Sequence, residues 1–238
     1  MKKLGIIGGT SWASTALYYD HINRFVAQRL GGLHSAVLAL ESLDLAPFVA
    51  MQQTGDWAGV ARVAAEAGKR LAGSGAEALV LASSTLHKVS AEIVAASGLP
   101  ILDIADAAAD KIVADGRRRV ALLGTRFTMS EGFARDRYTD RGIILHPIAP
   151  EWAREVDRMI YDELAAGRVV RESQRKLKTL ITELGKQKVE AVVLGCSELG
   201  LVIDARANIL PVYDTALLHA RRAVEWMLGD EEQARAAA

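Results

Sequence analysis

Two stretches of this chain run an apolar segment into a turn of small and hydroxyl-bearing residues, and they lie a domain's length apart. Ala78-Leu79-Val80-Leu81 leads into Ala82-Ser83-Ser84-Thr85, and Ala191-Val192-Val193-Leu194 leads into Gly195-Cys196-Ser197-Glu198. Aligning them sets Ser83 opposite Cys196, about 113 positions later. A second pair, Leu4-Gly5-Ile6-Ile7-Gly8-Gly9-Thr10 and Val120-Ala121-Leu122-Leu123-Gly124-Thr125, repeats about 116 positions apart. Short apolar runs that stop at small residues are the pattern of parallel strands buried on both faces. Two matched pairs at nearly one offset predict a duplication at domain scale, not the short period of a solenoid.

The rest of the chain fits that frame. Strands are predicted at 4–7, 36–40, 78–81, 101–104, 120–123, 142–145, 189–194 and 209–212. Helices are predicted after Ser14 or Thr15 as cap, and at 56–72, 88–96, 105–114, through 135, at 151–165, 170–184 and 215–227. The segment 43–53 reads as irregular. Alternating strands and helices give an α/β fold of two pseudo-symmetric, three-layer halves with mainly parallel sheets. The expected halves are 1–115 and 116–214. The closing helix 215–228 is expected to pack on the first half, and 229–238 to form a frayed tail. The duplication predicts that the halves meet with Ser83 and Cys196 facing one cleft, at the carboxyl edges of the strands where α/β sheets bind ligands.

Composition excludes several classes. With 238 residues, half of them hydrophobic, the chain has ample material for a core. Its 29 basic and 29 acidic residues cancel, which argues against a nucleic-acid or membrane-surface partner. No apolar run approaches the ~18 residues of a membrane span. The N-terminus begins like a signal peptide, but Gly8-Gly9 and Ser11 stop its apolar part early, so the expected compartment is the cytoplasm. One cysteine cannot form an internal disulfide, and no Cys/His cluster has metal spacing. The Gly8-Gly9-Thr10-Ser11 turn lacks the GxGxxG spacing of a dinucleotide site and suits a small anion better.

Cys196 is the first candidate for chemistry. Lone cysteines are commonly inert small hydrophobes. This one follows a strand end, beside Ser197 and Glu198, at a helix start whose dipole would favour a thiolate. Glu198 either relays a proton or simply favours the helix start. Ser83, Ser84 and Thr85 offer hydroxyls and amides; one is expected to cap the following helix, and together they suit a carboxylate. His87 and Lys88 orient a substrate or anchor the turn. Gln52 is a cleft residue or part of a solvated loop.

At this point the residues resemble a family. Gly5-Ile6-Ile7-Gly8-Gly9-Thr10-Ser11-Trp12 with Ser14-Thr15 and Tyr18-Tyr19, Arg29-Leu30-Gly31-Gly32-Leu33-His34-Ser35, Ser84-Thr85-Leu86-His87-Lys88, Leu123-Gly124-Thr125-Arg126-Phe127-Thr128-Met129 and Gly195-Cys196-Ser197-Glu198 resemble the aspartate/glutamate racemase superfamily, in its cofactor-independent aspartate racemase branch. The resemblance runs nearly end to end. It implies two pseudo-symmetric α/β domains with the site between them, no metal, PLP or nucleotide, and a homodimer. It also implies two cysteines, one on each face of the substrate α-carbon, one removing the proton and the other delivering one. This chain departs from that pattern: Ser83-Ser84-Thr85 stands where members commonly read Cys-Asn-Thr, and some members of the branch carry threonine at the first position. The resemblance therefore implies a PLP-independent racemase of small acidic amino acids, aspartate or glutamate. Catalysis would fall to Cys196, with Ser83 in the place of the second cysteine and turnover one-sided or slow. Thr10, Ser11, Gln52, Ser84, Thr85, Ser197 and Glu198 would bind substrate, with Arg126, Lys88 or the amides near Thr10 holding the distal carboxylate. The alternatives are a single-cysteine decarboxylase or isomerase of the same superfamily, and a weakly catalytic binding protein for an acidic amino acid.

Overall fold

The computed structural model describes residues 1–204 and 207–236, and the side chains of these through Gly229. The chain divides into two compact units. The first comprises Met1–Ala82, Leu86–Asp103 and the chain from His219 onward; the second comprises Ser83–Thr85 and Ile104–Leu218.

In the first unit, β1 (Leu4–Gly8) and β3 (Ala78–Leu81) are buried along their whole length. That is why both read as uninterrupted apolar runs. They pair in parallel with Leu4 opposite Ala78, and β2 (Leu38–Ser42) and β4 (Ile101–Leu102) complete a sheet of order β2-β1-β3-β4. β2 starts later than 36 because its ladder begins where Leu38 meets Leu4. Parallel pairing demands crossovers, and helices α1 (Trp12–Leu30), α3 (Trp57–Gly73) and α4 (Ser90–Ser97) supply them. Val60, Ala64, Ala67 and Leu71 of α3 pack with Ile93 of α4 over Ile7, Leu79 and Leu81.

Two expectations fail here for local reasons. The cap of α1 is Ser11, whose hydroxyl accepts the Ser14 amide at 3.4 Å, not Ser14 or Thr15. Thr15 is occupied elsewhere: its Oγ1 accepts the Gly9 amide at 2.8 Å and donates to the Ser11 carbonyl at 3.0 Å. The segment read as irregular holds α2 (Leu45–Thr54), capped by Asp44 and ended by Gly55 in the left-handed conformation.

The second unit repeats the plan. β5 (Arg119–Leu123) and β7 (Ala191–Leu194) are its central strands, flanked by β6 (Ile144–Leu145) and β8 (Val212–Asp214) in the order β6-β5-β7-β8, again all parallel. Val120 sits opposite Ala191 as Leu4 sits opposite Ala78, so the register carries both sequence offsets. One face of this sheet is covered by α8 (Pro150–Asp162) and α9 (Arg171–Lys186) through Val156, Met159, Ile160, Leu177 and Ile181. The other is covered by α5 (Ile104–Ala114), whose Ala105, Ala108, Ala109 and Ile112 pack on Val120, Leu122 and Val193. This packing carries the chain into the second unit at Ile104, ahead of the boundary read at 115.

Further differences follow from single residues. The last strand was expected at 209–212, but Pro211 only offers its carbonyl, to the Val192 amide at 2.9 Å, and the ladder starts at Val212. The helix expected through 135 is interrupted by Glu131 in an extended conformation, giving α6 (Arg126–Ser130) and α7 (Gly132–Thr139). Helix α10 (Thr215–Ala236) returns the chain to the first unit, where the Met227 carbonyl accepts the Lys2 amide at 3.0 Å. Its backbone runs past the stop expected at 228; of the segment read as a tail, 237 and 238 lie outside the described residues. Among the described residues no helix is long and apolar enough to cross a membrane.

Candidate active site

The two central strands of the second sheet end together, with Leu123 opposite Leu194. The Gly195 amide then donates to the Leu123 carbonyl, at 2.6 Å. A Cβ on Gly195 would stand 2.6 Å from Leu122 Cδ1 and 3.1 Å from the Leu123 carbonyl oxygen, so a side chain before the thiol would crowd the strand end. Cys196 follows in extended conformation, and a 3-10 helix over Ser197–Leu201 turns the chain back.

That turn folds Glu198 onto the thiol. Cys196 Sγ donates to Glu198 Oε2 at 2.8 Å, and Ser197 Oγ donates to the same oxygen at 3.0 Å. Cys196 is 5% exposed, Ser197 2% and Glu198 7%. Burial pushes the thiol well above its ordinary range. The Glu198 charge and its acceptance of the thiol proton push it further, Asp157 adds a little, and the Glu198 amide pulls the other way. The expected dipole-stabilised thiolate is therefore corrected: one favourable amide is outweighed by desolvation and a carboxylate. The resting group is a neutral thiol with a proton acceptor already in place.

Two residues of α8 reach this cluster, and the sequence reading did not single them out. Asp157 Oδ1 accepts the Arg126 amide at 2.7 Å and so ties α8 to the start of α6. The Tyr161 phenol is held protonated, chiefly by burial, then by the charge of Asp157. Their only signal in sequence was the spacing of four residues along an amphipathic helix.

Ser83, Ser84 and Thr85 belong to the same unit as Cys196. Thr85 Oγ1 shares a hydrogen bond with Thr125 Oγ1 at 3.1 Å. Thr125 in turn caps α6 by accepting the Thr128 amide at 3.3 Å. Ser84 Oγ is buried with no hydrogen-bond partner. None of the three caps α4, because a 3-10 helix over Thr85–Val89 intervenes and Val89 stands at the cap without a side-chain bond.

Thr10, Ser11 and Gln52 belong to the first unit. All three are buried, Gln52 on α2 and not in a solvated loop. Gly9 takes φ of 80°, where a Cβ would strike the Leu43 backbone at 2.2 Å, and Ser11 follows at φ 142°. Thr10 Oγ1 and Ser14 Oγ are buried without hydrogen-bond partners. Among the described residues no group of three His, Cys, Asp or Glu side chains is placed to hold a metal ion.

Comparison with known proteins adds to this geometry. The profile of the Asp/Glu/Hydantoin racemase family matches residues 7–223. A Yersinia pestis protein whose name assigns it to the Asp/Glu racemases is similar at 41% identity over 96% of this chain and 100% of that one, with a TM-score of 0.86. An aspartate racemase homologue from Pyrococcus horikoshii OT3 is similar at 31% identity, covering 95% of this chain and 99% of that one, with a TM-score of 0.79. Picrophilus torridus aspartate racemase, at 20% identity over 96% and 95% of the two chains and a TM-score of 0.80, shares the fold.

Proposed function

This chain belongs to the Asp/Glu/Hydantoin racemase family, and from that premise we propose that it racemises a small acidic amino acid, aspartate or glutamate, by proton transfer at the α-carbon through Cys196. The observation that carries the reading is the hydrogen bond of 2.8 Å from Cys196 Sγ to the buried Glu198 carboxylate. A cysteine serving only as filler needs no buried carboxylate beside it, and burying a carboxylate is costly. As a proton-transfer pair the arrangement has a use.

The steps balance as follows. The thiol proton passes to Glu198 Oε2. The thiolate so formed takes the substrate α-proton and becomes a thiol again, while the electron pair of the broken C–H bond spreads into the α-carboxylate. A proton delivered to the opposite face, from solvent through the Ser83 hydroxyl, gives the enantiomer, and Glu198 returns its proton to solvent. The net result is inversion with no redox change. Thr10, Ser11, Gln52, Ser84, Thr85 and Ser197 are assigned to substrate binding; the unpartnered hydroxyls of Thr10 and Ser84 support this for those two. Because an alcohol is a far weaker acid than a thiol and a far weaker base than a thiolate, the Ser83 face is the slow one. A cytoplasmic homodimer completes the reading, and sedimentation at twice 25.6 kDa would test the dimer.

The test is deuterium incorporation from solvent at the α-carbon of L- and D-aspartate and L- and D-glutamate, followed by proton NMR. The expected result is fast exchange for one enantiomer of one acid and slow exchange for its mirror image. Absence of exchange for all four sinks the reading. The single cysteine of the chain also favours a one-sided decarboxylase, because delivery of one proton to one face needs one thiol. Carbon dioxide release from a substituted malonate, without α-exchange of the amino acids, would select it.

A further inference from the structure

The first unit contains a buried polar strut that the proton-transfer chemistry does not use. His219 of α10 is fully buried. Its Nε2 lies 2.7 Å from the Leu102 carbonyl oxygen and its Nδ1 lies 2.8 Å from Tyr18 Oη of α1. A carbonyl only accepts, so Nε2 carries the proton. Nδ1 is then an acceptor, and the Tyr18 hydroxyl donates to it. Burial keeps the imidazole neutral, with its pKa lowered to about 3, and the nearby His87 charge reinforces this. The tyrosine ring meets the imidazole edge-on, at 5.6 Å between centroids. With both nitrogens committed, the ring cannot turn without leaving buried donors and acceptors unpaired.

The place of this strut in the fold gives it a role. The neighbours of His219 along the buried face of α10 are Ala216, Ala220 and Ala223, so His219 is the polar group on that stretch of the face. Leu102 ends β4 and is the register partner of Val80 in β3, the strand that leads into Ser83. The His87 ring lies 6.1 Å from that of His219, tilted by 59°, on the 3-10 helix that continues directly from Ser83-Ser84-Thr85. The strut thus joins α1, α10 and β4, and the His87 ring on the helix that follows the turn lies beside it.

We propose that Tyr18 and His219 are positioning residues for the Ser83 turn: the bond between them fixes the imidazole against which His87 and its helix rest, and thereby sets the geometry of proton delivery from the Ser83 face but not from the Cys196 face. The inference rests on the proposed racemase reading, and its tests separate the two. Tyr18→Phe removes only the hydroxyl. His219→Gln keeps a donor for the Leu102 carbonyl and removes the ring Nδ1 that accepts from Tyr18, leaving its own oxygen off that position.

In both variants, amide hydrogen exchange at residues 83–87 should rise while the strands of both sheets stay protected. The α-exchange of the slow enantiomer should fall at least about fivefold, short of the ~10²-fold that a 1 Å misplacement near the chemistry can cause. That of the fast enantiomer should stay within about twofold, and the double variant should be no worse than either single one, since both remove one bond. A structural role alone would slow both enantiomers equally. Unchanged protection at 83–87, or an unchanged ratio between enantiomers, overturns the proposal. If wild type exchanges neither enantiomer, the racemase reading fails, and the amide-exchange comparison by itself decides whether the strut braces the turn.

Discussion

The turn after β3 and the turn after β7 occupy the same place in two sheets of the same order, yet they carry different chemistry. Each opens with the same backbone bond: the Ala82 amide donates to Ile7 at 2.9 Å, and the Gly195 amide donates to Leu123 at 2.6 Å. Each runs into a 3-10 helix. Beyond the backbone they part. At Cys196 a thiol and a hydroxyl converge on one carboxylate oxygen. The turn Ser83-Ser84-Thr85 carries alcohols, with Thr85 standing where Glu198 stands and bonded to Thr125. Ladder bonds do not depend on side chains, so one backbone frame can carry different acid–base groups in its two copies. The two turns share their backbone bonds and differ in the acid–base side chains that they carry.

The harshest test of that asymmetry is removal of the thiol. Cys196→Ala should lower α-exchange of the fast enantiomer by at least ~10²-fold, the lower range for a general acid or base. Its circular dichroism and melting curve should show an intact fold. Near-normal exchange in a folded variant would return Cys196 to the core residues it packs with.

Restoring symmetry should have the next largest effect. Ser83→Cys places a thiol on both faces, and racemisation in the slow direction should rise about tenfold or more. The gain is capped because Thr85 offers the new thiol no carboxylate. Polarimetric or dichroic assays of each enantiomer, run beside the deuterium measurement, read it directly. Equal and fast turnover of both enantiomers by wild type would show that another group serves the Ser83 face, and His87 would be examined next.

Glu198→Gln probes the pairing itself. Removing the carboxylate takes away one cause of the raised thiol pKa and leaves the larger one, burial. The ultraviolet titration of the thiolate should move to lower pH, yet exchange should fall about tenfold because the proton acceptor is gone. A titration that does not move would mean the carboxylate exerts no field on the sulfur. The sign for stability follows from the same shift. In wild type the folded thiol keeps its proton beyond the ordinary value of 9.0. The unfolded chain therefore loses its proton first, and this group's contribution to stability is present below pH 9 and lost as pH rises above it.

Much of the frame was legible in the residues because buried parallel strands write themselves as apolar runs. β3 has the bounds read from sequence, and the offsets between the two pairs of runs reappear as strand register. Helix α2 was not legible: of its ten residues only Phe48 and Gln52 are buried, too few to show a period. The cap of α1 was misplaced because Ser11, Ser14 and Thr15 are all suitable types, and the choice is made by the backbone turn that puts Ser11 at φ 142°. The protonation of Cys196 was beyond reach for a similar reason. Residues two apart do not face each other on an α-helix, so only the tighter turn at Ser197–Leu201 explains how Glu198 meets the sulfur.

The mildest test concerns the residue before each reactive position, and it checks whether the two turns are equivalent in packing as well as in bonding. Ala82 carries a methyl group that is 1% exposed, so the first turn has room for it. Its counterpart Gly195 has none: the Cβ would meet Leu122 Cδ1, Thr128 Cγ2 at 3.0 Å and the Leu123 carbonyl oxygen, and the last of these is backbone that cannot swing away. Gly195→Ala should therefore destabilise by about 1–3 kcal/mol, as overpacking of a filled site does. Ala82→Gly should cost about 1 kcal/mol by the opposite route, through lost burial and a looser unfolded chain. For a chain of this length each kcal/mol moves Tm by roughly 2–4 °C, so thermal melts resolve the order. The expected order is wild type above Ala82→Gly above Gly195→Ala. If Gly195→Ala melts with wild type, the second turn has slack that its backbone hides. The close approach of Gly195 to Leu123 would then no longer explain why glycine precedes the thiol.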